Sequence, residues 1–312
     1  NKELQIHCDV KENDRVFYFT TCGWMMWNWL VGSLSSGATI LLFDGFPLYK
    51  KDDLLFEFAS EEQITLFGIS AKYIDTLINN KVVPKNNHDM SKLKTVCSTG
   101  SPLSIDGFRY IYKNIKEDVH LSSISGGTDV VGCLVIGNVL QSVYAGEIQS
   151  PSLGIEIDIL DDDGNSILGD EKGELVVKKP FPSMPVKFWN DSDETKIKSA
   201  YFEKYNNIWH HADYIQKTKN KGYIIYGRSD ATLNPGGVRI GTGEIYSALQ
   251  NFSWIDDSLA TGYLTDNDER VVLFIKSIKN QIPNNYTDLI KKHLKSTLSP
   301  RHVPWKTFIV KD

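Results

Sequence analysis

The sequence predicts an α/β chain, a parallel-sheet α/β core with a small β-barrel-like subdomain, followed by a smaller α+β domain. Three observations carry this expectation. Up to about residue 140, short β-rich apolar runs alternate with amphipathic stretches, the pattern of βα units around a parallel sheet. From Gly154 the rhythm changes to short strands separated by turns. After Asp230, two strand-like runs at 258–264 and 269–276 precede one amphipathic helix at 286–297, as in a compact α+β unit.

Taken in order, the strand candidates of the first region are 17–20, 39–43, 66–69, 95–98 and 120–124, with an amphipathic stretch at 54–63. Residues 16–43 carry no charge, and about 20 apolar residues suffice to cross a bilayer. Gly23, Asn28, Gly32 and Gly37 interrupt that run, which parses as a strand, a helix from about Trp24 and a second strand. Buried parallel strands read as continuous apolar runs, so no membrane insertion is expected. In the β-rich region, 155–160 and 173–178 read as strands around the acidic turn 161–165. That turn lacks the distant glutamate of a calcium loop and reads as a solvated hairpin. The chain therefore divides into 1–229, with a sheet region 1–140 and a β-rich region 141–229, and a smaller domain 230–312.

Composition narrows the function. With 312 residues the chain can bury two cores, and a net charge of -5 leaves no basic footprint for nucleic acid. The four cysteines, Cys8, Cys22, Cys97 and Cys133, are scattered without C-x-x-C spacing, which argues against a zinc site and fits a reducing, cytoplasmic compartment. His210 and His211 are adjacent, so on a strand they face opposite sides and cannot chelate one metal. Neither a G-x-S-x-G elbow nor a Walker lysine motif occurs.

The densest chemistry lies at 226–244, YGRSDATLNPGGVRIGTGE. Arg228 and Arg239 can donate forked hydrogen bonds to phosphate or ribose oxygens, and Gly236 and Gly237 let a ligand approach the backbone. For any one of these arginines a hairpin with solvated charges is the alternative.

That run resembles a core motif of the adenylate-forming superfamily, the acyl-CoA synthetases and their relatives: G-R-x-D, then G-x-R-(I/L)-x-x-x-E-I. Gly227, Arg228, Asp230, Gly237, Arg239, Ile240, Glu244 and Ile245 occupy its positions. Upstream, WHHADY at 209–214 is similar to the family's (Y/W)-x-T-G-D segment, with His211-Ala212 where the family has Thr-Gly. Residues 173–189 resemble its G-E-L-x-(V/I)-x-x-P segment, SISGGTD at 123–129 its Gly-Gly or Gln-Thr-Glu segment, and Ser98 to Pro102 its adenine-stacking loop. CGWMMWNW at 22–29, residues 37–48 and LSPRHVPW at 298–305 resemble the branch that activates acetoacetate.

The resemblance implies ATP, Mg2+ and coenzyme A as substrates and metal, and joining of acetoacetate to coenzyme A through an acyl adenylate. Arg239, Thr128 and Asp129 would act on the phosphates, Asp129 as the Mg2+ ligand, since a hard cation wants a carboxylate. Asp213 and Arg228 would fix the ribose, and Gly100, Ser101 and Pro102 would pack on adenine. Gly237 would give room to the pantetheine arm, and Lys295 would meet a coenzyme A phosphate, although a lysine on an amphipathic helix is usually solvated. Asp230 would be the hinge of a swinging small domain, the alternative being a plain surface aspartate. Trp24, Met25, Met26, Thr99 and Gly126 would line the acyl pocket. There Thr99 would hydrogen-bond a ketone, and Gly126→Trp would shift preference toward acetate.

Two departures from the family pattern stand out. Neither the Ser/Thr/Gly-rich phosphate loop nor the C-terminal Gly-Lys segment with its adenylation lysine is present, so this stretch by itself is expected to be an inactive portion of a longer enzyme. The rival readings are a ligase of the same superfamily for acetate, propionate or another short acid, and a non-catalytic module that binds nucleotide or acyl adenylate. Oligomeric state is not written in the sequence.

Overall fold

The computed structural model describes residues 1–233, 235, 240–265, 269–278 and 282–310. They form two compact units, one of residues 1–211 and 216–224, the other of 212–215 and 225–312.

Strands β1 (Arg15–Tyr18), β2 (Thr39–Leu41), β3 (Leu66–Ser70), β4 (Thr95–Thr99) and β5 (His120–Ser123) make a five-stranded sheet in the order β2-β1-β3-β4-β5. Every neighbouring pair in it is parallel. Helices α1 (Met25–Gly32), α2 (Leu54–Glu61), α3 (Ala71–Asn79) and α4 (Ile105–Tyr110) alternate with these strands. Because successive strand residues point to opposite faces, Val16, Tyr18, Leu66 and Cys97 join a core with Met26, Trp29 and Leu30 of α1. Phe17, Phe67 and Val96 enter a second core with Leu55, Phe56, Leu77 and Phe108 of α2, α3 and α4. Burial of both faces is why these strands read as unbroken apolar runs. Ser70 and Ser104 start α3 and α4 by accepting the N–H of Tyr73 and Gly107.

The expected barrel-like region consists of open sheets. Strands β6 (Ser125–Gly127), β7 (Gly132–Ile136) and β8 (Ser150–Pro151) pair antiparallel. Strands β9 (Ile157–Leu160), β10 (Lys172–Val177), β11 (Trp209–Lys217) and β12 (Tyr223–Arg228) form a sheet in the order β12-β11-β10-β9, with helix α5 (Thr195–Tyr201) between β10 and β11 in sequence. The Asp161 carboxylate accepts the N–H groups of Asp163 at 3.0 Å and Asn165 at 2.8 Å, so the acidic run builds its own turn.

In the second unit, β13 (Ile255–Leu264), β14 (Glu269–Ser277) and β15 (Lys306–Val310) form a mixed sheet beside α6 (Thr242–Leu249) and α7 (Tyr286–Thr297). Leu249, Trp254, Leu273, Ile275, Ile290 and Leu294 fill its core. Among the described residues no helix is long and apolar enough to cross a membrane.

Candidate active site

In parallel sheets ligands gather at the carboxyl ends of the strands. Several expected site residues of the first unit stand there. Thr99 ends β4, and Gly100, Ser101 and Pro102 follow it, all three exposed. Gly100 has φ +91°, a conformation that L side chains rarely adopt, so this turn requires glycine. Beyond the end of β5 come β6 and then Thr128 and Asp129, both exposed. After β1 the chain reaches Trp24, 66% exposed at the start of α1, while Met25 packs against the core and Met26 lies within it at 5% exposure.

Two specificity expectations change with this geometry. Thr99 donates its hydroxyl to the Ile124 carbonyl at 3.0 Å. A ketone oxygen only accepts, so the single Thr99 proton is not offered to it. At Gly126 an added Cβ would fall 2.0 Å from the Gly132 carbonyl oxygen and 2.7 Å from Cys133 Cα. Gly126→Trp therefore meets the backbone of β7 before it fills any acyl pocket, and its first effect is on packing.

Residues that local sequence reasoning passed over surround the Gly126–Asp129 segment. Tyr201 of α5 donates its phenol to Asp129 Oδ2. The Tyr201 ring stacks on Trp209 with centroids 3.6 Å apart and planes at 14°. The Trp209 indole N–H lies 3.3 Å from His211 Nδ1, and His211 Nε2 lies 3.1 Å from the Gly126 carbonyl oxygen. His210, its neighbour, turns instead to the buried carboxylate of Glu174 at 2.9 Å. The only sequence signal for this group is the aromatic richness of 181–209, which says nothing about partners 72 and 85 residues away.

In the second unit Asp213 is buried on β11, and Arg228 at the end of β12 places Nη1 3.6 Å from its Oδ1. The rest of the guanidinium faces Asp230, with Nε 3.2 Å from Oδ1 and Nη2 3.0 Å from Oδ2. Asp230 itself is exposed, in the single turn Ser229–Ala231. Ala212, just before Asp213, has φ 60°, a backbone conformation uncommon for a residue other than glycine. The Glu244 carboxylate accepts the Gly241 N–H at 3.0 Å and lies 3.6 Å from His302 Nε2. Burial, with Glu244 and Tyr214 nearby, pushes the Tyr226 phenol up to about 12, so it stays protonated at neutral pH. Lys295 is exposed on α7, and Gly237 and Arg239 lie outside the described residues.

The residues present fit a magnesium ion that arrives with its nucleotide. No group of three or more His, Cys, Asp or Glu among the described residues could cage a metal, yet one exposed carboxylate beside a hydroxyl, Asp129 and Thr128, suits an ion that keeps its waters and binds substrate phosphates.

Comparison with known proteins decides the family. The family described as AMP-binding enzyme matches residues 2–184. The chain belongs to the AMP-binding enzyme family. Among its AMP-binding relatives, it is 49% identical over 312 residues to "Acetoacetyl-coenzyme A synthetase" of Rhizobium meliloti (strain 1021), covering 100% of this chain and 48% of that protein. It is 42% identical over 308 residues to "Acetoacetyl-CoA synthetase" of Gallus gallus, covering 97% of this chain and 46% of the relative. The solved acetoacetyl-CoA synthetase from Streptomyces lividans superposes with a TM-score of 0.92 at 38% identity, over 100% of this chain and 48% of that one. The chain thus spans about half the length of the AMP-binding enzymes it matches.

Proposed function

We propose that the gene product carrying this chain joins acetoacetate to coenzyme A in two steps, with AMP and pyrophosphate released. The likeness to acetoacetyl-CoA synthetases over the whole chain carries the choice of acid, and the motif residues supply the roles. In the first step an acid oxygen attacks the α-phosphorus of ATP, an O–P bond forms, and pyrophosphate leaves. Thr128 donates to a phosphate oxygen, Asp129 holds Mg2+ and Arg239 stabilises the charge that develops on phosphorus. Bound Mg2+ neutralises charge on the transferring phosphates. Asp213 accepts from the ribose hydroxyls, being acceptor-only, Arg228 orients beside it, and the Gly100–Ser101–Pro102 turn packs on adenine.

In the second step the thiol of coenzyme A attacks the acyl carbon and AMP leaves. Gly237 gives the pantetheine arm room, Lys295 meets a coenzyme A phosphate, and Asp230 is the hinge between steps. Trp24 and Met25 shape the acyl pocket, with Met26 packed behind them and Thr99 serving as wall rather than donor. The test is acid-dependent exchange of labelled pyrophosphate into ATP by the full-length gene product. Acetoacetate should support at least about tenfold faster exchange than acetate or propionate, the low end of the discrimination that an apolar pocket shaped to a larger acyl group gives. Equal rates with acetate, or ATP binding without exchange, would overturn the reading.

A further inference from the structure

We propose that Tyr201, Trp209 and His211 form a brace that sets the conformation of the Gly126–Asp129 segment, which makes Tyr201 and His211 positioning residues for Thr128 and Asp129. The inference rests on the reading above, in which Thr128 and Asp129 serve Mg2+ and the phosphates.

The hydrogen-bond inventory fixes the chemistry. Indole N–H is only a donor, so His211 Nδ1, 3.3 Å away, carries no proton. A carbonyl oxygen is only an acceptor, so His211 Nε2 carries the proton and donates to Gly126. Trp209 therefore holds the imidazole neutral, in one tautomer and one orientation, as an outer partner does for a metal-bound histidine. Trp209 is itself fixed: it is 1% exposed, stacked on Tyr201, and met edge-on by Phe181 at 5.6 Å and Phe202 at 5.9 Å. The same stack aims the Tyr201 phenol at Asp129 Oδ2.

Both ends of a four-residue segment are thus gripped by one aromatic unit. Gly127 makes this possible, because a Cβ there would sit 2.7 Å from His211 Cε1. The segment needs the support. It leads into a turn closed by Val131 N–H on the Thr128 carbonyl, and Val131, a β-branched residue, has φ 43°. Such backbone persists where its surroundings over-determine it.

The experiment uses the full-length gene product with Tyr201→Phe, which removes one oxygen and keeps the stack, His211→Gln, whose amide can still donate to Gly126, and His211→Leu, which cannot. Mg·ATP affinity is read by titration calorimetry without acid, and KM and kcat by acetoacetate-dependent pyrophosphate exchange. Tyr201→Phe should weaken Mg·ATP binding and raise its KM by about tenfold, the scale of one lost charge-assisted hydrogen bond, and His211→Leu by about fivefold, the scale of a neutral one. His211→Gln should stay near wild type, and Tyr201→Phe should melt within about 2 °C of it. A merely structural role would lower the active fraction, hence kcat, and leave KM and affinity unmoved. Unchanged affinity in Tyr201→Phe, or His211→Gln as weak as His211→Leu, overturns the brace. Wild type that supports no exchange with any acid overturns the proposed function and the brace with it, an outcome set apart by the wild-type arm alone.

Discussion

The guanidinium of Arg228 grips the carboxylate of Asp230 in a fork, Nε to Oδ1 at 3.2 Å and Nη2 to Oδ2 at 3.0 Å, and turns its remaining nitrogen toward the buried Asp213 at 3.6 Å. One cation therefore serves both the carboxylate assigned to the ribose and the residue assigned to the hinge. Arg228→Ala should raise the KM for ATP by roughly 10- to 100-fold, the range for losing a hydrogen bond from a charged donor. Arg228→Lys keeps the charge but not the fork, so its loss should lie nearer to alanine than to wild type. Steady-state kinetics with ATP varied would check this, and an unchanged KM in Arg228→Ala would remove Arg228 from the nucleotide site.

Ala212→Gly should stabilise the protein. The left-handed conformation of Ala212, φ 60°, costs an L residue about 1–2 kcal/mol. The freer unfolded chain of glycine offsets roughly 0.5–1 kcal/mol of that gain. The net rise in melting temperature should be about 2 °C. A fall in melting temperature would mean that the alanine methyl makes contacts worth more than the strain.

Asp75 works against stability at neutral pH. Burial, partly opposed by Lys72, pushes its carboxyl up to about 6, from 3.8. The unfolded chain loses this proton first as pH rises, so stability falls between about 4 and 6 and the full penalty holds above that. Asp75→Asn should raise stability by on the order of 1–3 kcal/mol at pH 8 and by little at pH 4. Denaturation midpoints at the two pH values would show it, and equal gains at both would contradict the assignment.

Acid should act through His7 and His120. Burial lowers both below 6.5, against the Gly137 carbonyl at His7 and the Gln149 side chain at His120. His7 accepts the Leu153 N–H on Nε2, a bond that a protonated ring cannot keep, and His120 Nδ1 is buried without a partner. Below pH 6.5 the unfolded chain takes up protons before the folded one, so stability drops as pH falls, by up to about 1.4 kcal/mol per pH unit per histidine. Measured in the Asp75→Asn variant, which removes the opposing contribution, the midpoint should decline from pH 7 to 5.5, and less steeply once His120→Gln is added. A flat profile would contradict it.

Much of the fold was legible because its signals are local. The strands around residues 17, 39, 66, 95 and 120 announce themselves as apolar runs, and the helix read at 286–297 is α7, Tyr286–Thr297. The site was legible only where a motif carried it. Nothing local tells that Tyr201 reaches Asp129 or that His211 reaches Gly126, since such pairings are made by the packing of Trp209, not by spacing. Thr99 misled for the same reason: its residue type showed a free hydroxyl, while its neighbour in space, the Ile124 carbonyl, takes the proton. Alanine at 212 hides a positive φ within β11 that glycine would have advertised.

The central claim is the acid that is activated. The most direct measurement incubates the full-length gene product with ATP, Mg2+, coenzyme A and one acid at a time, counting AMP and weighing the thioester by mass spectrometry. Acetoacetate should give stoichiometric AMP and acetoacetyl-CoA, and acetate or propionate little of either product. An acetyl or propionyl thioester formed as fast, or none with any acid, would contradict it.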